Sequence, residues 1–72
     1  MNLNEYDRVY LRHPLDEYAL PAGATGTVVV VYQNPAGYEI EFCDGDGVPI
    51  ALVSLARGEA DEVVGRLDSP AG

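Results

Sequence analysis

Cys43 is the only cysteine and His13 the only histidine in this chain of 72 residues, and that scarcity removes the usual staples of very small domains. One cysteine cannot close an intramolecular disulfide, and a structural zinc site wants four Cys or His ligands. The chain must hold itself together with a hydrophobic core alone, and Cys43 reads as a small strand residue. A domain of this length buries only about 60% of the surface its unfolded chain exposes, which leaves room for one small core and no deep cleft between lobes. The expected organisation is one domain over residues 1–72, ordered from about residue 5 to 67, with a frayed tail over 68–72.

The core-forming pattern has a period of two. Tyr38, Ile40 and Phe42 alternate with Glu39 and Glu41, as in a strand with one face buried and one in water. Asp7 to Arg12 reads as a first strand with Val9 and Leu11 inward. Gly26 to Tyr32 reads as a second, through the run Val28-Val29-Val30-Val31, with Val28 and Val30 expected in the core beside Val9, Ile40 and Phe42. Val48 to Leu55 supplies a fourth. Turn residues separate them: Asn34-Pro35-Ala36-Gly37 between the second and third strands, and Asp44-Gly45-Asp46-Gly47 between the third and fourth. His13 to Ala24 holds Pro14, Pro21 and Gly23 without periodicity and is expected as a long ordered loop, with Leu15, Tyr18 and Leu20 anchoring it to the core. After Gly58 two readings stay open. One is a helical turn at Glu59–Glu62 followed by a short last strand at Val63-Val64; the other is a single helix from Glu59 to Leu67. The fold class is all-β: a small five-stranded barrel with a long loop after the first strand and at most one short helical turn near the C-terminus.

Charge excludes more than it identifies. Four arginines, no lysine and twelve carboxylates give a formal charge of −8. Nucleic-acid binding depends on cations that neutralise phosphates, and an anionic membrane surface repels this chain in the same way. No apolar run approaches the roughly 20 residues of a membrane span. Residues 1–5 lack the basic and apolar regions of a signal peptide, so the expected location is cytoplasmic. A basic protein partner suits the charge, and solubility alone also accounts for it.

Three stretches together resemble a known family: Tyr6-Asp7-Arg8-Val9-Tyr10-Leu11, then Leu15-Asp16-Glu17-Tyr18-Ala19-Leu20-Pro21-Ala22-Gly23, then Gly26 through Tyr32. The segments Tyr38–Phe42 and Ile50–Leu55, with the Asp-Gly turn between them, continue the likeness, which covers about residues 5 to 55. The family is a small bacterial one known as domain of unknown function 4926. The resemblance implies an SH3-like barrel, no catalytic activity, and no functional residues to transfer. Residues 7–31 are also similar, more loosely, to the SH3-like domain of nitrile hydratase β subunits, which are partner proteins of an active site on another chain. The short loop and isolated size depart from that pattern.

No catalytic constellation, cofactor site or metal site is expected. His13 and Cys43 stand thirty residues apart on different elements, and nucleophilic catalysis needs a nucleophile beside an oriented base. Glu39 and Glu41 on one strand face read as solvated side chains rather than a carboxylate pair. Asp44-Gly45-Asp46-Gly47 lacks the distal glutamate of a calcium loop. Candidate binding residues fall into two sets. Tyr10, Tyr18, Asp16 and Glu17 have the chemistry of the tyrosine-lined, acid-edged groove with which SH3 domains take proline-rich peptides. Glu39, Glu41, Asp44 and Asp46 are contiguous enough to form an acidic patch for a basic partner. The valine strand adds a third surface: with both faces apolar, Val29 and Val31 require a cover, either the long loop, a partner, or a second copy in a homodimer. The expected function is a non-catalytic interaction module, an antitoxin- or immunity-like binder of a basic protein. The alternative is a structural accessory subunit of a larger enzyme complex.

Overall fold

The computed structural model describes residues 2–68. Five strands form one sheet: β1 (Arg8–Leu11), β2 (Thr25–Gln33), β3 (Ala36–Cys43), β4 (Pro49–Ala56) and β5 (Val64–Asp68). All neighbouring pairs are antiparallel, in the order β4-β3-β2-β1-β5. A helix, α1 (Arg57–Val63), connects β4 on one edge to β5 on the other. The inward residues of all five strands, among them Val9, Val28, Ile40, Phe42, Val53 and Val64, meet in one buried cluster. A flat sheet cannot bring its two edge strands to a common core, so the sheet curls around the cluster in a barrel-like form. The radius of gyration of 11.1 Å matches the roughly 11 Å of a compact chain this long.

The alternation in β3 holds as expected: Tyr38, Ile40 and Phe42 are buried, and Glu39 and Glu41 are half-exposed on the other face. In β4 the same rule places Ala51, Val53 and Leu55 inward and Ile50, Leu52 and Ser54 outward. The second strand departs from its expected pattern. Val28 faces Ile40, but the next pair is Val30 with Glu39, so Val29 is an extra residue in a β-bulge. One extra residue reverses the faces of everything after it. Val31, opposite Tyr38, therefore packs against the core, and Val30 is 38% exposed. The expectation of a buried Val30 and an outer Val29/Val31 face is corrected accordingly.

The C-terminal region resolves in favour of helix followed by strand. α1 begins at Arg57, two residues before the expected turn, and Gly58 lies inside it, near the end where a glycine costs least. Glu59 secures the first turn, its Oε1 accepting the Ala56 backbone N–H at 3.0 Å. The helix ends at Val63 because the next residues pair with β1, Val64 opposite Leu11 and Arg66 opposite Val9. A single helix to Leu67 is thereby excluded. Asp68 belongs to β5, opposite Arg8; the rest of the expected tail, 69–72, lies outside the described residues.

The long connection after β1 is ordered by its leucines. Leu15 and Leu20 form a backbone bridge, Leu20 is buried and Leu15 packs on the core, with a short 3-10 turn at Asp16–Tyr18 between them. Tyr18 is not an anchor; it is 40% exposed on that turn. At the other end of the chain Leu3 is buried, its N–H donated to the Tyr38 hydroxyl at 3.2 Å, so the core takes in residues ahead of position 5.

Asp7 holds this N-terminal arm. It is fully buried, accepts the Asn4 N–H on Oδ2 at 2.8 Å, and meets Arg66 Nε at 3.2 Å on the same oxygen. Arg66 also donates to the Asn2 carbonyl. A residue at the mouth of β1 and one in β5 thus clamp residues 2–4 to the sheet.

Candidate functional site

The outer face of β2, β3 and β4 is a grid whose rows follow from strand register. Thr27, Glu41 and Leu52 form one row; Val30, Glu39 and Ser54 the next; Tyr32, Gly37 and Ala56 the last, at the hairpin end. Gly37 explains why the middle of the last row is empty. A β-carbon there would stand 2.9 Å from the Leu55 carbonyl oxygen, a contact that no side chain tolerates. Between the Tyr32 ring and Ala56 the sheet therefore carries an open, mostly apolar groove of about 390 Å³, lined also by Pro35, Ser54 and Leu55.

Glu39 does not line this groove, but two residues that do, Tyr32 and Ser54, fix it from both sides. Tyr32 OH donates to Oε2 at 3.0 Å, and Ser54 Oγ donates to Oε1 at 2.7 Å. Because a hydroxyl that donates to a carboxylate gives up its proton reluctantly, the pKa of the Tyr32 phenol is raised above its usual value; its hydrogen bond to Glu39 is the largest cause, with desolvation and the Glu39 charge behind it. No side-chain hydrogen bond among the described residues holds Glu41, one row further along. Beyond it, Ile50 and Leu52 are 52% and 59% exposed on β4, one of the two edge strands. Large apolar side chains on an open edge are unusual in a protein that stands alone.

Asp44 and Asp46 follow from the same strand, but their roles differ. Asp44 Oδ1 accepts the N–H groups of Asp46 and Val48 at 2.8 and 3.0 Å, so its carboxylate shapes the turn. Asp46 is exposed. The tyrosine set is placed elsewhere. Tyr10 lies half-buried with its ring over Gly65 of β5, where an added β-carbon would come within 2.4 Å of Cζ. Asp16, Glu17 and Tyr18 occupy the exposed 3-10 turn of the long connection. The end of that connection, Pro21–Ala24, borders Cys43, Asp44, Gly45 and Ile50 and leaves Val30 uncovered.

The distribution of charge is the largest electrostatic feature of the site. From Pro14 to Ala56 the chain contains Asp16, Glu17, Glu39, Glu41, Asp44 and Asp46 and no Arg, Lys or His. The four arginines, at 8, 12, 57 and 66, lie on or beside β1, α1 and β5. The β2–β4 sheet therefore presents carboxylates with no cation of its own strands to balance them. Sequence reasoning missed Tyr32, Ser54 and Gly37 as parts of this surface. The signal was present in the pairing of Tyr32 and Gly37 across the hairpin, but the bulge has to be placed before that pairing is known.

Among the described residues no group of three His, Cys, Asp or Glu side chains is arranged to hold a metal ion, and no helix is long and apolar enough to cross a membrane. Neither the curated proteins nor the solved structures contain a match to this chain, so the similarity to nitrile hydratase β subunits gains no support from them. A family model does match, across residues 5–61, from Glu5 through most of α1, and the chain accordingly belongs to the family described as Domain of unknown function (DUF4926).

Proposed function

We propose that this protein is a non-catalytic interaction module, an SH3-like barrel whose β2–β4 outer face meets a basic partner protein in the cytoplasm. An antitoxin or immunity protein covering the phosphate-binding surface of a toxin or nuclease is the form that fits this chemistry. The observation that carries the reading is the cation-free stretch from Pro14 to Ala56, which places Glu39 and Glu41 on one sheet face with Asp46 at its end. Like charges held together without counter-charges cost stability, and a cationic partner relieves that repulsion while gaining association rate from it.

The test replaces Glu39 and Glu41 with Gln and Asp44 and Asp46 with Asn. Asn at 44 keeps the oxygen that accepts from Asp46 and Val48, so the turn is retained. Immobilised parent protein should retain a basic partner at low salt, and the quadruple variant should retain less of it. With that partner, stopped-flow association should slow in the variant and lose most of its salt dependence. Equal on-rates for the two proteins across low and physiological salt refute the reading and leave the acidity as a solubility device.

A second reading rests on a different observation. Ile50 and Leu52 project from an edge strand that receives no other strand, and Val48 beside them is 54% exposed. A structural accessory subunit would bury these side chains permanently in a larger complex. Such an interface survives high salt, which separates it from the charge-steered one.

A further inference from the structure

Resting on the interaction reading above, we infer that the groove floored by Gly37, together with the Glu39 carboxylate that its lining residues Tyr32 and Ser54 hold, is a docking site for an arginine side chain of the basic partner. Three features converge on that occupant. The carboxylate is oriented, because Tyr32 OH and Ser54 Oγ each donate to a different oxygen of Glu39. Each oxygen retains accepting capacity beyond that one bond, which allows a guanidinium to approach in its paired, fork-like geometry. The groove beside it is mostly apolar, and Tyr32 is one of the residues that line it. A guanidinium is planar, weakly hydrated and able to stack on an aromatic face, whereas a lysine ammonium is a compact, strongly hydrated charge.

The site also has an unoccupied shape that sequence dictates. Gly37 cannot be replaced without collision with β4, so the row Tyr32, Gly37, Ala56 must leave its centre open. Val30 and the edge residue Leu52 are exposed on the same face, which gives the segment carrying the arginine an apolar surface to lie on. Arg57 follows the lining residue Ala56 directly in the chain. It lines an adjoining cavity with Asn2, Leu3 and Glu5, which shares Tyr32, Ala36, Gly37 and Tyr38 with the groove, and does not line the groove itself. Its charge opposes a guanidinium ligand, and its removal should tighten binding.

The experiment titrates the full chain, isotopically labelled, with acetyl-Gly-Arg-Gly-amide and follows backbone amide shifts. Saturable shifts should concentrate at Tyr32, Gly37, Ser54 and Ala56. The citrulline counterpart, uncharged and of the same shape, should produce none, and the lysine counterpart should bind more weakly. Glu39→Gln should weaken the arginine peptide at least about tenfold, as expected for loss of a charge-assisted pair. Glu41→Gln should change it by less than about twofold, and Tyr32→Phe should give an intermediate loss, since the ring remains and only the orienting hydroxyl is gone. Equal binding of the lysine peptide, or equal losses for Glu39→Gln and Glu41→Gln, overturns the site. A deca-lysine peptide separates this inference from the reading beneath it. If deca-lysine binds the parent with steep salt dependence and the arginine peptide does not bind, the groove assignment falls and the interaction reading stands. If neither binds, both fall.

Discussion

Replacing Asp7 or Arg66 with alanine should destabilise the protein through different routes, and the difference can be worked from their burial. Asp7 is fully buried, while the Arg66 side chain keeps 38% of its surface in water. Asp7→Ala removes the acceptor for the Asn4 N–H and frees an arginine that can turn to solvent. The lost charge-assisted hydrogen bond is worth about 1.5–3 kcal/mol, and the half-exposed ion pair adds at most about 1 kcal/mol. A loss of about 1.5–4 kcal/mol corresponds to a drop in Tm of roughly 6–32 °C for a domain of this size. Arg66→Ala instead takes the Arg66 guanidinium from a carboxylate that stays buried, and the cost of breaking a buried pair from that side is about 3–5 kcal/mol. Arg66→Ala should therefore be the worse of the two, and the double mutant should be no less stable than Arg66→Ala alone. Urea unfolding monitored by circular dichroism on all four proteins gives the cycle. Two single mutants within about 0.5 kcal/mol of the parent, or fully additive losses, refute the clamp.

Two further predictions concern the core and the titration of the outer face. Phe42→Ala should cost about 3–5 kcal/mol, since Phe42 is fully buried at the centre of β3; with the stability of so small a domain at the low end of about 5–15 kcal/mol, the variant should be largely unfolded at 37 °C, and a melt within a few degrees of the parent would show the inward face to be misassigned. The phenol of Tyr32 is raised above 10.0, chiefly by its bond to Glu39. A group with a raised pKa in the folded state contributes stability that is complete below the unfolded value and is lost as pH rises through the folded one. Its absorbance titration, isolated by subtracting a Tyr32→Phe protein, should therefore lie above pH 10 in the parent and move down towards that value in Glu39→Gln; superimposable curves refute the hydrogen bond.

Much of the sheet was legible because its pattern is local. Tyr38, Ile40 and Phe42 alternate with two glutamates, and no other structure puts three such residues inward and two carboxylates in water. The hairpin and Asp-Gly turns carry their own chemistry. The run Val28-Val29-Val30-Val31 is the opposite case. Four identical side chains give no mark of which one is extra, and the choice is made by Ile40, Glu39 and Tyr38 on the partner strand. An error of one residue there exchanged Val30 for Val31 and hid Tyr32 from the outer face. Asp7 was illegible for a related reason. An aspartate before a strand looks solvated until Arg66, far along the chain, comes beside it. The tyrosine groove rested on composition alone; in the fold Tyr10 is held against Gly65 and Tyr18 stands on the loop turn.

The net charge of −8 is therefore not one property, because the carboxylates differ in what their oxygens do. Asp7, Asp44 and Glu59 accept backbone N–H groups, from Asn4, from Asp46 and Val48, and from Ala56. These are parts of the fold, and neutralising them with a residue that cannot accept costs stability. Glu39 accepts from side-chain hydroxyls only, on a face where water would serve as well. Cross-strand contacts of this kind return only about 0.2–1 kcal/mol each, so Glu39→Gln is tolerable to the fold. The arginines follow the same division. Arg66 binds Asp7 beside β1 and β5, and Arg8 donates to the Gly26 carbonyl of β2. The Asp7–Arg66 pair thus involves none of the β2–β4 carboxylates, and Arg8, in the row of Thr27 and Glu41, is the cation that register brings beside that face. The acidic face can then be stripped of charge without loosening the framework, and the stability and the salt-dependent association of the quadruple variant should move independently.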